Sequence, residues 1–143
     1  MNTEKLESKI QLLVANLAEE TFIYDLLLAY EQPPASITRL KKGDYNLSKT
    51  PGEILWKNRL FYRKETDSDL HDLIDNLKSD PAIIKQHPRF IVVTDFITLL
   101  SVDAKTGDTL DAPILDLAKH FDFFLPWAGM EKSQFQSENP ADI

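Results

Sequence analysis

The sequence predicts an α/β (α+β) fold, a mixed central β-sheet flanked by helices. Three observations carry that reading. Apolar residues recur at helical spacing over the first thirty residues and again around Leu70 to Leu77. Phe90-Ile91-Val92-Val93-Thr94 is a continuous apolar run of strand length, as expected for a strand buried on both faces and therefore central. Lys105-Thr106-Gly107-Asp108 reads as a hairpin turn between two further β-rich segments.

Taken in order, Leu6, Ile10, Leu13 and Leu17 form one apolar stripe and predict a helix from about residue 3 to 17. A second helix is predicted in TFIYDLLLAY, with Phe22, Leu26, Leu27 and Tyr30 inward and Thr21 as its N-cap. Gln32-Pro33-Pro34 ends it, because proline lacks the N–H and constrains the residue before it. ITRLKKGDYNLSKTPGE reads as a loop with room for a short strand, Gly43 and Pro51-Gly52 marking turns. Residues 54 to 62 have the β-branched and aromatic character of one strand.

Asp67 or Ser68 is then placed to cap a third helix striped by Leu70, Leu73, Ile74 and Leu77, which stops before Asp80-Pro81. After the central strand, strands are predicted at residues 97–102 and 110–112. Residues 114–120 read as a short helix leading into the aromatic run FDFFLPWAG, and the tail MEKSQFQSENPADI is polar. No internal repeat is present.

Composition narrows the function classes. The chain has 143 residues, 43% hydrophobic and 27% charged, which suits one globular domain. Cysteine is absent, which excludes a disulfide scaffold, a thiol nucleophile and thiolate metal sites. No run of about 18 apolar residues suggests a membrane span, and MNTEKLESKI has no apolar core of a signal peptide. A cytoplasmic location without membrane partners is expected.

The net charge of −7 is the wrong overall sign for a free-standing nucleic-acid binder, but it is unevenly distributed. Between Arg39 and Lys64, eight cations face two acids, Asp44 and Glu53, a local +6 that leaves −13 for the rest. Such a stretch either faces phosphates or is a solvated surface. His71, His87 and His120 lie far apart without metal-ligand spacing. Glu7-Ser8-Lys9 matches Glu-x-Lys in letters only, because it falls on a helix. Trp56 and Trp127 are candidates for base stacking or for the core. Phe121, Phe123, Phe124 and Trp127 read as a contact to another domain.

Four segments together resemble one family: ETFIYDLLLAY (Glu20 to Tyr30), ITRLKKGDYNLSKTPGEILWKNRLFYR (Ile37 to Arg63), PRFIVVTDFITLLSVDAKT (Pro88 to Thr106), and LAKHFDFFLPWAGMEK with SENPADI (Leu117 to Ile143). They are similar to the N-terminal region of MmeI-like, class I SAM-dependent DNA adenine methyltransferases of type II restriction-modification systems. The resemblance implies a restriction-endonuclease-like domain over 1–126, with 127–143 starting a linker to helical, methyltransferase and target-recognition regions. It implies SAM as the cofactor of the full-length protein and none for this chain. No glycine-rich SAM loop is present, and Asn139-Pro140-Ala141 lacks the second proline and aromatic of a catalytic adenine-gripping motif.

Bifunctional relatives carry a metal-dependent nuclease here, signed by an aspartate followed by Glu-x-Lys on the next strand. Two carboxylates hold a divalent metal, and the lysine orients the attacking water. Asp44 stands where the first acid is expected, but the next strand reads Leu60-Phe61-Tyr62-Arg63-Lys64, and Glu53 is followed by Leu55 two positions on. The nuclease is expected to be degenerate, and the chain to help position DNA through Arg59, Arg63, Lys64, Lys41 and Lys42. One alternative is an active Mg²⁺-dependent endonuclease using Asp95, Asp103 and Lys105, with Asp44 contributing. Another is a protein-interaction module that docks a separate subunit.

Overall fold

The structure is a computed structural model and describes residues 3–130. It is an α+β fold with a mixed five-stranded sheet and flanking helices. The described chain divides into two compact units, residues 3–37 with 116–130, and residues 38–115.

In the first unit, α1 (Thr3–Ala15) buries Leu6 and Ile10, and α2 (Phe22–Ala29) buries Phe22, Ile23, Leu26 and Leu27. Thr21 is the N-cap residue of α2, its carbonyl accepting from the Asp25 N–H, but its side chain accepts no capping bond; its hydroxyl donates to the Asp25 carboxylate (2.9 Å). The aromatic run lies on a 3₁₀ segment, Ile114–Ala128. Of its aromatic rings, Phe124 and Trp127 are buried in this unit, while Phe121 and Phe123 are half-buried. Phe124 and Trp127 stack on each other at 4.7 Å, with Tyr30 edge-on to both. Tyr30 Oη donates to the Phe121 carbonyl, and buried Gln32 Nε2 donates to the Trp127 carbonyl, both at 2.6 Å. The segment is kinked at His120 (φ −117°), and these two bonds tie the part beyond the kink to the end of α2 and the residues after it. Trp127 was expected to begin a linker; it is a core residue of this unit. Residues 131–143, where most of that linker was expected, lie outside the described range.

A helix stands where a loop was expected: α3 (Pro34–Lys42) begins in the first unit and ends in the second. Proline is well suited to a first helical turn, where its missing N–H costs nothing, and Ile37 and Leu40 supply a buried i, i+3 pair.

The second unit holds the sheet. The single strand expected over residues 54–62 is two, β1 (Glu53–Trp56) and β2 (Leu60–Lys64), paired antiparallel. Asn58 makes the turn between them at φ +66°, a left-handed conformation that asparagine tolerates better than most residues. β2 runs parallel to β3 (Phe90–Thr94), the two joined through α4 (Leu70–Lys78) and α5 (Pro81–Ile84). β4 (Thr98–Asp103) and β5 (Thr109–Pro113) continue antiparallel, giving the order β1-β2-β3-β4-β5 with β3 central, as the apolar run predicted. Every β3 residue is buried. Leu70, Ile74 and Leu77 of α4 and Ile83 of α5 pack on Leu55, Phe61, Ile91, Val93, Leu100 and Val102. Asp69, not Asp67 or Ser68, caps α4, accepting from the His71 and Asp72 N–H groups. Asp80 caps α5 ahead of Pro81.

His71 ties the first turn of α4 to the edge strand β5, its Nε2 lying 2.8 Å from Asp111 Oδ2. That hydrogen bond is the largest cause raising the His71 pKa above its ordinary 6.5. A folded-state pKa raised in this way contributes stability that is complete below about pH 6.5 and is lost as pH rises through the folded value. The melting-temperature difference between wild type and Asp111→Asn should therefore be larger at about pH 5.5 than at about pH 8.5. A difference independent of pH would show that His71 carries no charge in the contact.

Candidate functional site

The +6 stretch of the sequence does not fold into one patch. Strand β2 separates its members, with Arg59 entering at Leu60 and Arg63 and Lys64 at the other end. At a rise of about 3.3 Å per residue, Leu60 and Lys64 stand roughly 13 Å apart. Lys41 and Lys42 are exposed in the last turn of α3, where cations favour the negative end of the helix dipole. Exposed Arg59 lies over the Trp56 ring (5.7 Å), and Trp56 stacks in turn on Tyr45 (5.9 Å, 4° between planes). Trp56, buried in this stack, is not presented as an open platform for a base. Lys64 lies over Phe96 at 5.6 Å.

Arg63 is placed differently. Glu53 of β1 is its cross-strand partner, and Glu65 follows at the end of β2. Arg63 Nη1 donates to Glu53 Oε2 (3.1 Å) and Nη2 to Glu65 Oε1 (2.7 Å). The other oxygens are also engaged: Ser48 Oγ donates to Glu53 Oε1 (2.9 Å) and the Asp67 N–H to Glu65 Oε2 (3.0 Å). Asn46 braces the site, accepting from the Leu55 N–H and donating to the Glu53 carbonyl. The side chains of Glu53 and Glu65 are only 14% and 11% exposed, against 37% for Arg63. The Asp67 N–H first, and then Arg63, hold the Glu65 carboxyl below its ordinary range. Two carboxylates thus meet around a cation supplied by the chain itself. Local sequence pattern does not reveal Glu65, because it sits two residues after Arg63 in the order Arg-x-Glu rather than Glu-x-Lys.

Asp95, Asp103 and Lys105 do not assemble. Asp95 lies in the β3–β4 turn and Asp103 at the far end of β4; the strand between them spans about 17 Å. Asp95 Oδ1 accepts from the Ile97 and Thr98 N–H groups, which hold its pKa low, Thr98 contributing most. Asp103 is fully buried. Its carboxylate takes a two-point ion pair from Arg89 (Nε to Oδ1, 2.8 Å; Nη2 to Oδ2, 3.1 Å), and Oδ1 also accepts from the Lys105 and Thr106 N–H groups. Asp44 is exposed just past α3, with its N–H on the Arg39 carbonyl. Among the described residues, no three His, Asp or Glu side chains are grouped so that they could hold a metal ion.

A family model described as "MmeI, N-terminal domain" matches residues 1–143. The chain belongs to the MmeI N-terminal domain family. DNA methyltransferase A of Bacillus subtilis (strain 168) is 41% identical over 138 residues, covering 96% of this chain and 16% of that protein. This MmeI N-terminal domain thus spans 16% of the length of that relative. No solved structure matches it. Among the described residues, no helix is long and apolar enough to cross a membrane.

Two outcomes follow for this MmeI N-terminal domain. Replacing Asp103 with Ala leaves Arg89 facing a vacated, buried site and releases two hairpin N–H groups. Chemical denaturation should show a loss of about 3–5 kcal/mol, the usual effect of breaking a buried pair; a loss under about 1 kcal/mol would mean that the pair is dispensable. Arg63→Ala should lower the melting temperature at neutral pH, because Glu53 and Glu65 then repel each other. Adding Glu53→Gln should recover part of that loss. If the double variant melts below the single one, repulsion is not the cause.

Proposed function

We propose that the chain is a non-catalytic N-terminal domain of a SAM-dependent, adenine-specific DNA methyltransferase of a restriction-modification system. It acts in the cytoplasm and helps position duplex DNA or the neighbouring methyltransferase and target-recognition domains. Membership of the MmeI N-terminal family and the likeness to a protein named DNA methyltransferase A support the setting. The observation that carries the non-catalytic role is the Arg63 guanidinium held between Glu53 and Glu65.

Hydrolysis of a phosphodiester by a metal nuclease needs a cation with an open position, where water is bound and made acidic. A guanidinium offers neither an exchangeable position nor Lewis acidity. All four oxygens of the two carboxylates are engaged by Arg63, Ser48 and the Asp67 N–H. A restriction-endonuclease-like ancestry is compatible with carboxylates on adjacent strands, and the site as built favours structure over hydrolysis.

DNA contact is assigned to the exposed cations Lys41, Lys42, Arg59 and Lys64, with Arg63 contributing less because two glutamates balance its charge. Such contacts give affinity and register, while sequence is read elsewhere in the full-length enzyme. SAM belongs to that larger protein, where it supplies the methyl group.

The test uses full-length methyltransferase. With Mg²⁺ or Mn²⁺ it should leave supercoiled plasmid uncut. Lys41→Ala/Lys42→Ala/Lys64→Ala should weaken binding to all duplex sequences alike and lower the salt slope by about one for each phosphate no longer neutralised. Plasmid cleavage abolished by Asp103→Asn or Glu53→Gln would replace this reading with an active nuclease. An unchanged salt slope would remove the DNA-positioning role.

A further inference from the structure

We propose that one end of the sheet is a phosphate-binding pocket. Three loops distant in sequence converge there: the β1–β2 turn at Lys57-Asn58-Arg59, the segment His87-Pro88-Arg89 entering β3, and the start of the β4–β5 hairpin at Ala104-Lys105. They line an open pocket of about 340 Å³ formed by Asn58, His87, Pro88, Arg89, Ala104 and Lys105. Four of these six side chains carry N–H donors and none is a carboxylate, although Arg89 already gives its Nε and Nη2 to Asp103.

The acid nearest in sequence, Asp103, is fully buried, and its charge is balanced by Arg89. Among the described residues Lys105 has no ion pair, Asp108 lies three residues further along the same hairpin, and exposed Lys57 and Arg59 flank Asn58 on its turn. A tetrahedral anion, which accepts from several directions at once, suits donors arriving from three separate loops.

The pocket is also held in shape before any ligand arrives. Asn58 N–H donates to the Gln86 carbonyl (3.0 Å), Ala104 N–H to the Arg89 carbonyl (2.8 Å), and Phe90 N–H to the Arg59 carbonyl (3.4 Å), so each loop is bonded to another. Asn58 and His87 both occupy left-handed backbone conformations, at φ +66° and +54°. Strained positions of this kind persist where the surroundings over-determine them, and they concentrate at binding sites.

This pocket lies at the opposite end of β2 from the Glu53–Arg63–Glu65 cluster, and it does not depend on the role proposed above. The phosphate belongs either to a duplex backbone or to a small phosphate-bearing molecule, and the chemistry of the donors is the same for both.

The 143-residue chain, labelled with ¹⁵N, is titrated first with inorganic phosphate at constant ionic strength and then with a short DNA duplex. Phosphate should produce saturable shifts at the Asn58, Arg89 and Lys105 amides. Lys105→Glu and Asn58→Asp should each weaken binding about tenfold or more, since each turns a donor into a repelling carboxylate. Aspartate tolerates the left-handed conformation and Lys105 is exposed, so both variants should keep the wild-type spectrum away from the pocket. If the duplex moves the same amides and competes with phosphate, the ligand is the DNA backbone. If it leaves them unmoved while phosphate binds, the ligand is a small phosphate-bearing molecule. No saturable shift with either, or undiminished binding by Lys105→Glu, overturns the proposal.

Discussion

Arg89 and Asp103 meet where β3 begins and β4 ends, and the geometry of the sheet unit is organised around that meeting. A carboxylate with no exposed surface is tolerable only when its charge is compensated and its oxygens are hydrogen-bonded. Here the guanidinium takes both oxygens, and two hairpin N–H groups share one of them. The bond pattern fixes three things together. It sets Phe90 opposite Asp103 in the ladder, starts the hairpin at Ala104, and brings His87 and Pro88 against the same end of the sheet. A residue at position 103 without a side-chain acceptor would leave the Lys105 and Thr106 N–H groups of the hairpin without their anchor. The pair therefore acts as a specification of register more than as a source of net stability, since ion pairs of this kind recover little beyond their own desolvation.

What could be read from the sequence was whatever is encoded by near neighbours. The central strand announced itself because burial on both faces demands an unbroken apolar run, and Phe90 to Thr94 is one. The α4 stripe was legible for the same reason, with Leu70, Ile74 and Leu77 on one face. Helix α3 was hidden because Pro33-Pro34 looks like a stop, although Pro34 also suits a first turn, and because Arg39, Lys41 and Lys42 leave only Ile37 and Leu40 to mark an apolar face. The β1–β2 turn was hidden because Asn58 makes it without a glycine. The aromatic run was legible as apolar, but its partners are Tyr30 and Gln32, about ninety residues away, and no local pattern reports them. The sites follow the same rule. Glu53 with Arg63 is a cross-strand pairing, and Asn58 with His87 and Lys105 is a meeting of three loops.

Charge segregation along the chain and charge segregation in space turn out to be different quantities. The basic stretch from Arg39 to Lys64 contains a helix end, a hairpin and a strand. Because a strand of five residues carries its ends roughly 13 Å apart, beyond the screening length of about 8–10 Å, its two ends act as separate electrostatic features. One end gains Lys105, a cation that the linear count never included, while Arg89 beside it is paired with Asp103. The other end spends Arg63 on two glutamates. A net charge of −7 is therefore no obstacle to local anion recognition, just as a local +6 in sequence is no guarantee of it.

The Glu53–Arg63–Glu65 cluster shows how a carboxylate pair on adjacent strands can be kept folded without a metal ion. Two acids this little exposed repel each other unless a cation stands between them. A divalent ion would compensate more charge, but it must be captured from solution, and its binding depends on metal concentration and pH. Arg63 is covalently supplied, always charged, and forked so that one nitrogen reaches each acid. The same properties that make it a dependable counter-ion keep it from replacing a nuclease metal, because a guanidinium does not bind and acidify a water. The Glu53–Arg63 pair of the cluster holds β1 against β2, the two strands that the Asn58 turn joins at the opposite end of the hairpin. The structural cation at one end of β2 and the anion pocket at the other are then two consequences of the same two-stranded register.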